Sequence, residues 1–131
     1  MGLDIRFYKV KREKVGYFRK VNFILTYFDV DNDMDCKDIS VTKEKLDEFV
    51  EDLKCELLSY EERKPENDDP SSELELEPIN PKLRTKEVFF GGSTAYYPEY
   101  WKDVKEVYAW AKGQLESFDW DNYTMVLNCW W

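Results

Sequence analysis

The chain has 131 residues, of which 43% are hydrophobic and 36% are charged, and its formal net charge is −9 at pH 7. These values fit one domain, residues 1–131, with a substantial hydrophobic core. There is no histidine, which excludes serine and cysteine nucleophiles that need a histidine base and nearly all zinc sites. The three cysteines form no CxxC pair, so no disulfide framework or zinc site is expected. No metal site and no cofactor are predicted.

The sequence shows no membrane or export signal. It contains no apolar run of about 18 residues, and the charged segment after Met1 lacks the apolar stretch of a signal peptide. We therefore expect a cytoplasmic protein without membrane contact.

The negative charge is unevenly distributed. Residues 61–77 contain eight acidic and two basic side chains, whereas residues 1–20 contain seven basic and two acidic ones. The low isoelectric point therefore reflects one polar segment and conceals a basic N-terminal region. Direct nucleic-acid binding is not expected.

The predicted elements begin with a strand at residues 3–10, because Ile5 and Phe7 alternate with polar residues. Residues 11–15 are predicted to form a charged turn that ends at Gly16. Residues 17–28 are rich in β-branched and aromatic side chains, which would suit a strand. Their apolar positions, however, recur at spacings of three and four, which favours a helix.

An acidic loop is predicted at residues 29–38. Its aspartates resemble the start of an EF-hand, but Met34 and Ser40 occupy the positions that need glycine and glutamate, so calcium binding is not expected. Thr42 is then predicted to cap a helix. The apolar stripe of that helix comprises Leu46, Phe49, Val50, Leu53 and Leu57.

Residues 60–86 are predicted to form a long polar loop. Its acidic part, residues 61–86, is predicted to be mobile or draped over the surface. Leu74 and Leu76 alternate with glutamates, a pattern that is also compatible with a short edge strand. A strand at residues 87–91, a helix from Pro98 to about Ser117 and a last strand at residues 123–131 follow. The predicted fold class is α+β: a small, mainly antiparallel sheet with about three helices and one long acidic loop.

Residues 88–101 are predicted to carry the first half of a ligand site. A strand leads into Gly91-Gly92 and then into a helix start near Pro98. Glycines permit a close approach of the backbone, and a helix N-terminus favours an anion. No lysine follows the glycines, so this is not a Walker motif. The alternative is a plain strand-to-helix turn with core aromatics.

Residues 16–22 are predicted to supply the second half of the ligand site. An arginine and an amide beside aromatic rings can bind a phosphate group and a nucleotide base. If these residues were helical, Arg19 and Asn22 would be three positions apart and could act together. The alternative is a solvated, charged surface. The predicted ligand-binding residues are Tyr17, Arg19, Lys20, Asn22, Phe90, Gly91, Gly92, Ser93, Thr94, Tyr97 and Trp101.

The five tryptophans all lie in the last 31 residues. Exposed tryptophans would mark a partner or dimer surface. The alternative, and the commoner fate of tryptophan in a small domain, is packing in the core.

Three blocks of this sequence resemble a family of small uncharacterised proteins encoded by phages, prophages and gut-bacterial mobile elements. The blocks are MGLD-x-x-x-Y at residues 1–8, GY-aromatic-RK-x-N at 16–22, and FFGGST-x-Y from residue 89 into a tyrosine- and tryptophan-rich helix. Members of that family often carry a histidine near the position of Leu25, which this chain lacks. The resemblance implies a phage accessory gene that acts on host defence, more often by binding than by turnover.

Two functions follow as expectations. The first is a non-enzymatic protein that sequesters a small anionic, nucleotide-like ligand and so counters host defence. The second is a protein inhibitor of a host or defence enzyme, similar to an anti-CRISPR protein, that uses the acidic loop and exposed aromatics. No catalytic residue is predicted, because the acids and tyrosines available to an enzyme (Asp4, Asp103 and Tyr97) specify no reaction by their spacing. Homo-oligomerisation is left open.

Overall fold

The computed structural model describes residues 4–9, 13–19, 21–28, 38–63, 76–84, 96 and 98–130. This part of the chain folds as an α+β structure, as the sequence predicts. The strands are β1 (Asp4–Lys9), β2 (Glu13–Arg19), β3 (Asp38–Val41) and β4 (Met125–Trp130). The helices are α1 (Asn22–Tyr27), α2 (Lys43–Arg63) and α3 (Pro98–Ser117), with a 3-10 turn at Pro81–Leu83.

The four strands form one sheet in the order β2-β1-β4-β3, and each neighbouring pair is antiparallel. β1 and β4 are therefore the central strands, although they come from opposite ends of the sequence. Alternate side chains of the strands point to one face, where Ile5, Phe7, Met125 and Leu127 are fully buried.

The three helices supply most of the remaining core beside that face. Thr42 caps α2 as predicted, because its Oγ1 accepts a hydrogen bond from Lys45 N at 3.1 Å. The predicted stripe of α2 is buried at its first four positions, and Leu57 packs partly against the core. In α3, Trp101, Val104, Val107 and Ala111 are buried in the same way.

A β-bulge in β2 locks α3 to the sheet. Phe7 pairs with Gly16 and Tyr8 pairs with Lys14, so Val15 is an extra residue in β2. The carbonyl oxygen of Val15 accepts a hydrogen bond from Trp110 Nε1 at 2.7 Å. The indole of Trp110 also packs on Phe7, with ring centroids 4.4 Å apart.

Two predictions for the N-terminal half are wrong. Residues 17–19 are the end of β2 rather than the start of a helix, and Glu13–Gly16 belong to the same strand rather than to a turn. The helical spacing holds only from Val21 onward, where Ile24, Leu25 and Phe28 are buried. Pairing with β1 decides the conformation of residues 17–19, and that long-range contact leaves no mark on local periodicity.

The sequence prediction also missed β3, because it assigned Asp38 to the acidic loop. β3 is only four residues long and pairs with β4 alone. Leu76 lies outside any strand, although its N donates to Tyr96 O at 3.0 Å. Residues 29–37, Leu74 and the predicted strand at residues 87–91 lie outside the described residues. The loop predicted from residue 60 begins too early, because α2 continues to Arg63.

Replacing Gly16 with alanine is expected to lower the stability of the protein. A Cβ at this position would lie 2.5 Å from Cζ2 of Trp110, so the indole or the bulge must shift. Overpacking of this kind costs about 1–3 kcal/mol in the free energy of unfolding, which urea unfolding followed by circular dichroism will measure.

Gly113→Ala is the matched control. Gly113 lies within α3, and a Cβ there meets no atom within 4 Å. Alanine should therefore stabilise the helix by about 0.5–1 kcal/mol. A Gly16→Ala protein as stable as the wild type would show that the close packing of Trp110 on Gly16 is not a constraint.

Candidate functional site

A polar row crosses the face of the sheet that points away from the buried Ile5 and Phe7. Arg6 pairs with Tyr17 on one side and with Asn128 on the other, and Asn128 pairs with Asp38. Side chains at paired positions lie on the same face. The row therefore runs Tyr17, Arg6, Asn128, Asp38 across all four strands, and Asn128 Nδ2 donates to Asp38 Oδ1 at 3.2 Å.

Tyr17 is the aromatic residue of this row, and 46% of its surface is accessible. Its hydroxyl donates to Asp4 Oδ1 at 3.0 Å, which holds the ring in place on the sheet. The guanidinium carbon of Arg6 lies 5.5 Å from the ring centroid, and Lys14 Nζ lies 5.3 Å from it. We call Asp4, Arg6, Lys14 and Tyr17 the Tyr17 cluster.

The bulge at Val15 is the reason that Lys14 belongs to this cluster. In a regular strand, residues three apart point to opposite faces. The extra residue pairs Lys14 with Tyr8 and Tyr17 with Arg6, so both side chains fall on the polar face. The sequence prediction missed Lys14 as a site residue because it took residues 11–15 for a turn. It missed Asp4 and Arg6 because it placed Tyr17 in a helix and not in a strand that pairs with theirs.

The Tyr17 cluster carries the elements of anion recognition. Its two cations exceed the single carboxylate of Asp4, which lies 3.6 Å from Arg6 Nη2. Cations near an aromatic face are held there by the ring quadrupole. A phosphate or carboxylate can thus be attracted by Arg6 and Lys14, while the exposed ring of Tyr17 offers an apolar contact.

Trp101, which the sequence placed in the same site, is a core residue instead. Only 2% of its surface is accessible, and its Nε1 donates to Leu76 O at 2.9 Å. Its ring stacks on Tyr60, with centroids 4.5 Å apart. Tyr17 and Trp101 therefore lie in separate groups of contacts.

The other predicted site residues are only partly described. Arg19 is the last residue of β2 and Asn22 is the first of α1, so the two do not share a helix face as predicted. Six predicted residues and Lys20 lie outside the described residues, namely Phe90, Gly91, Gly92, Ser93, Thr94 and Tyr97. Trp110 and Trp120 are half-buried against the core, as the second interpretation of the tryptophans expects.

A buried carboxylate on α2 forms a second group that the sequence prediction missed. Glu56 is 4% accessible and accepts hydrogen bonds from Ile79 N at 3.2 Å and from Asn80 N. Arg63 Nη2 lies 3.9 Å from its Oε2. The available signal was a charged residue three positions after Leu53, on the apolar stripe of α2.

A third group surrounds Tyr27, which is 2% accessible. Its hydroxyl donates to Asp52 Oδ2 at 2.7 Å. Burial, together with the carboxylates of Asp52 and Glu48, raises the pKa of Tyr27 above its ordinary value of 10. Beside it, a hydrogen bond from Lys82 and the charge of Lys45 lower the pKa of Glu48.

One further acidic side chain, Asp103, has a shifted pKa. Burial and the negative charges of Glu106 and Glu99 raise the pKa of Asp103 on α3.

Among the described residues, no group of three or more cysteine, aspartate or glutamate side chains is placed to hold a metal ion. No helix in the described part of the chain is long and apolar enough to cross a membrane.

Comparison with protein-family models, with curated proteins and with solved structures found no match for this chain.

The raised pKa of Tyr27 predicts a loss of stability in alkali. A phenol that stays protonated in the folded state but ionises near pH 10 in the unfolded state stabilises the fold fully below pH 10. This contribution falls as the pH rises above that value. At pH 7, Tyr27→Phe should cost about 1 kcal/mol for the lost hydrogen bond to Asp52.

At pH 11 the difference in unfolding free energy between wild type and Tyr27→Phe should be smaller than at pH 7, or reversed. Urea unfolding at both pH values measures it. An unchanged difference would mean that the phenol ionises equally easily in both states.

Proposed function

We propose that this protein binds a small anionic, nucleotide-like ligand at the Tyr17 cluster and acts by sequestering it rather than by converting it. The observation that carries the proposal is the exposed ring of Tyr17 with the cations of Arg6 and Lys14 each within 5.5 Å of its centroid. Recognition of nucleotides commonly combines cations for the phosphate with an aromatic ring for the base.

The cluster is also preorganised. Arg6 and Tyr17 stand on paired strands of one sheet, and the hydrogen bond to Asp4 fixes the direction of the Tyr17 ring. Fewer side chains then lose freedom when a ligand arrives, which favours affinity. The seven basic residues among positions 1–20 add a local positive field that attracts anions.

The biological setting of the proposal comes from the resemblance to phage and prophage proteins. A phage-type accessory protein of this kind would counter host defence by removing a nucleotide-derived signal in the host cytoplasm. The absence of histidine supports binding over turnover, because the commonest general base is lacking.

A second function, inhibition of a host or defence enzyme, is supported by Ile79. This side chain is 60% accessible, while the backbone N of the same residue is held by the buried Glu56. A fixed backbone that presents an apolar side chain lowers the entropic cost of a protein interface. The acidic residues 61–77 precede it in the sequence.

Isothermal titration against cyclic dinucleotides and ADP-ribose derivatives tests the first function. We expect one ligand class to bind, and we expect Tyr17→Ala to weaken it by roughly 5- to 150-fold, the range for loss of one base–aromatic stack. Affinity should fall as salt rises, since Arg6 and Lys14 act near the surface.

Lys105→Ala is the control, because Lys105 is an exposed cation on α3. Absence of binding by every compound, or equal losses in Tyr17→Ala and Lys105→Ala, would contradict the proposal. If Ile79→Asp abolishes protection against host defence while Tyr17→Ala retains it, the inhibitor function is the correct one.

A further inference from the structure

Residues 76–84, here called the strap, run between α2 and α3 and include the 3-10 turn. Side chains of the two helices bind the main chain of the strap. Glu56 accepts from the N atoms of Ile79 and Asn80. Three more side chains donate hydrogen bonds to carbonyl oxygens of the strap. They are Arg63 Nη1 to Glu77 O at 2.9 Å, Trp101 Nε1 to Leu76 O at 2.9 Å and Tyr100 Oη to Leu83 O at 2.7 Å.

This mode of contact is the one that protein grooves use to bind extended peptides. The hydrogen bonds to main-chain atoms give affinity, and pockets for a few side chains give specificity. Here the specific positions are Leu83, which is fully buried, and Lys82, whose Nζ lies 2.6 Å from Glu48 Oε1. Pro78 is buried as well, whereas Ile79 points to solvent.

The strap also holds part of its own shape. Asn80 Oδ1 accepts from Lys82 N at 3.0 Å, and Pro81 stands in the first position of the 3-10 turn. Arg84 Nε donates to Pro78 O at 3.1 Å. A peptide of this sequence therefore loses less conformational freedom on binding than an unrestrained one.

The strap contacts α2 at a point that is distant from it in the sequence. Twelve residues separate Arg63 from Leu76 in the sequence, yet Arg63 Nη1 contacts Glu77 directly.

We propose that Glu56, Arg63, Tyr100 and Trp101 form a peptide-binding groove, which the chain's own strap fills. The groove takes in trans an extended segment of a partner protein with the pattern proline, any residue, asparagine, proline, basic residue, leucine. This inference goes beyond the proposed ligand binding at the Tyr17 cluster and does not depend on it.

The strap of the same chain competes with any such peptide at a high effective concentration. A free peptide should therefore bind weakly to the wild type and more tightly to a protein whose own strap is weakened. Leu83→Ala weakens it by removing the buried side chain. Lys82→Glu weakens it from the surface by placing a like charge beside Glu48, and Lys82 is exposed enough for the fold to tolerate the change.

The experiment titrates a fluorescent peptide of residues 76–84, LEPINPKLR, with full-length protein and follows anisotropy. We expect binding to Leu83→Ala and to Lys82→Glu at least tenfold tighter than to the wild type. A peptide carrying Leu83→Ala should bind at least tenfold more weakly than LEPINPKLR. Adding Glu56→Gln to either variant should weaken binding by a similar factor, because each carboxylate oxygen accepts one strap N–H. In glutamine one of these oxygens is replaced by an NH2 group, which is a donor and would face a strap N–H.

Circular dichroism establishes that each variant is folded, and Lys82→Glu carries the test if Leu83→Ala is not. Absence of peptide binding by the folded variants would overturn the proposal and make the strap an ordinary part of the core. Binding that is equal for wild type and variants and insensitive to Glu56→Gln would overturn it too, because the peptide would then be bound outside the groove.

Discussion

The contact between Trp110 and the bulge at Val15 is the constraint on which both layers of the structure depend. It ties α3 to the edge strand through the bond from Trp110 Nε1 to Val15 O, and the absence of a side chain at Gly16 leaves room for the indole. The same bulge brings Lys14 to the polar face beside Tyr17. Core packing on one face and the charge pattern on the other thus follow from one extra residue in β2.

The two candidate binding regions use different physical means. The Tyr17 cluster is a rigid strand surface with two cations, an exposed ring and one carboxylate, so charge and stacking dominate its chemistry. The groove around Glu56 is largely buried and binds main-chain atoms. A carboxylate in such a place is costly unless it is fully hydrogen-bonded, and the two N–H groups of the strap, with Arg63 nearby, meet that need. In the proposed exchange, displacement of the strap removes these donors from Glu56, and an extended peptide that supplies two N–H groups replaces them.

The sequence predicted part of this picture and missed part for identifiable reasons. It located α2 and α3, because apolar stripes at helical spacing and the Thr42 cap are local signals. It selected Tyr17 for the site, but for the wrong conformation, and it overlooked Asp4, Arg6 and Lys14. Those residues approach Tyr17 through strand pairing and the bulge, which depend on a partner strand elsewhere in the sequence. Trp101 was assigned to the ligand site because it follows a glycine pair in the sequence. That pattern is the same whether the aromatic side chain faces solvent or the core.

By itself, the amino-acid sequence determined the α+β class, the two long helices, the strand around Ile5 and Phe7, and the exclusion of histidine chemistry. These features depend on composition or on periodicity within one element. Only the tertiary structure decided that residues 17–19 extend a sheet, that Lys14 and Tyr17 share a face, and that Glu56 binds the strap. Each of these depends on residues that are distant in the chain meeting in space, and no local pattern encodes which residues meet.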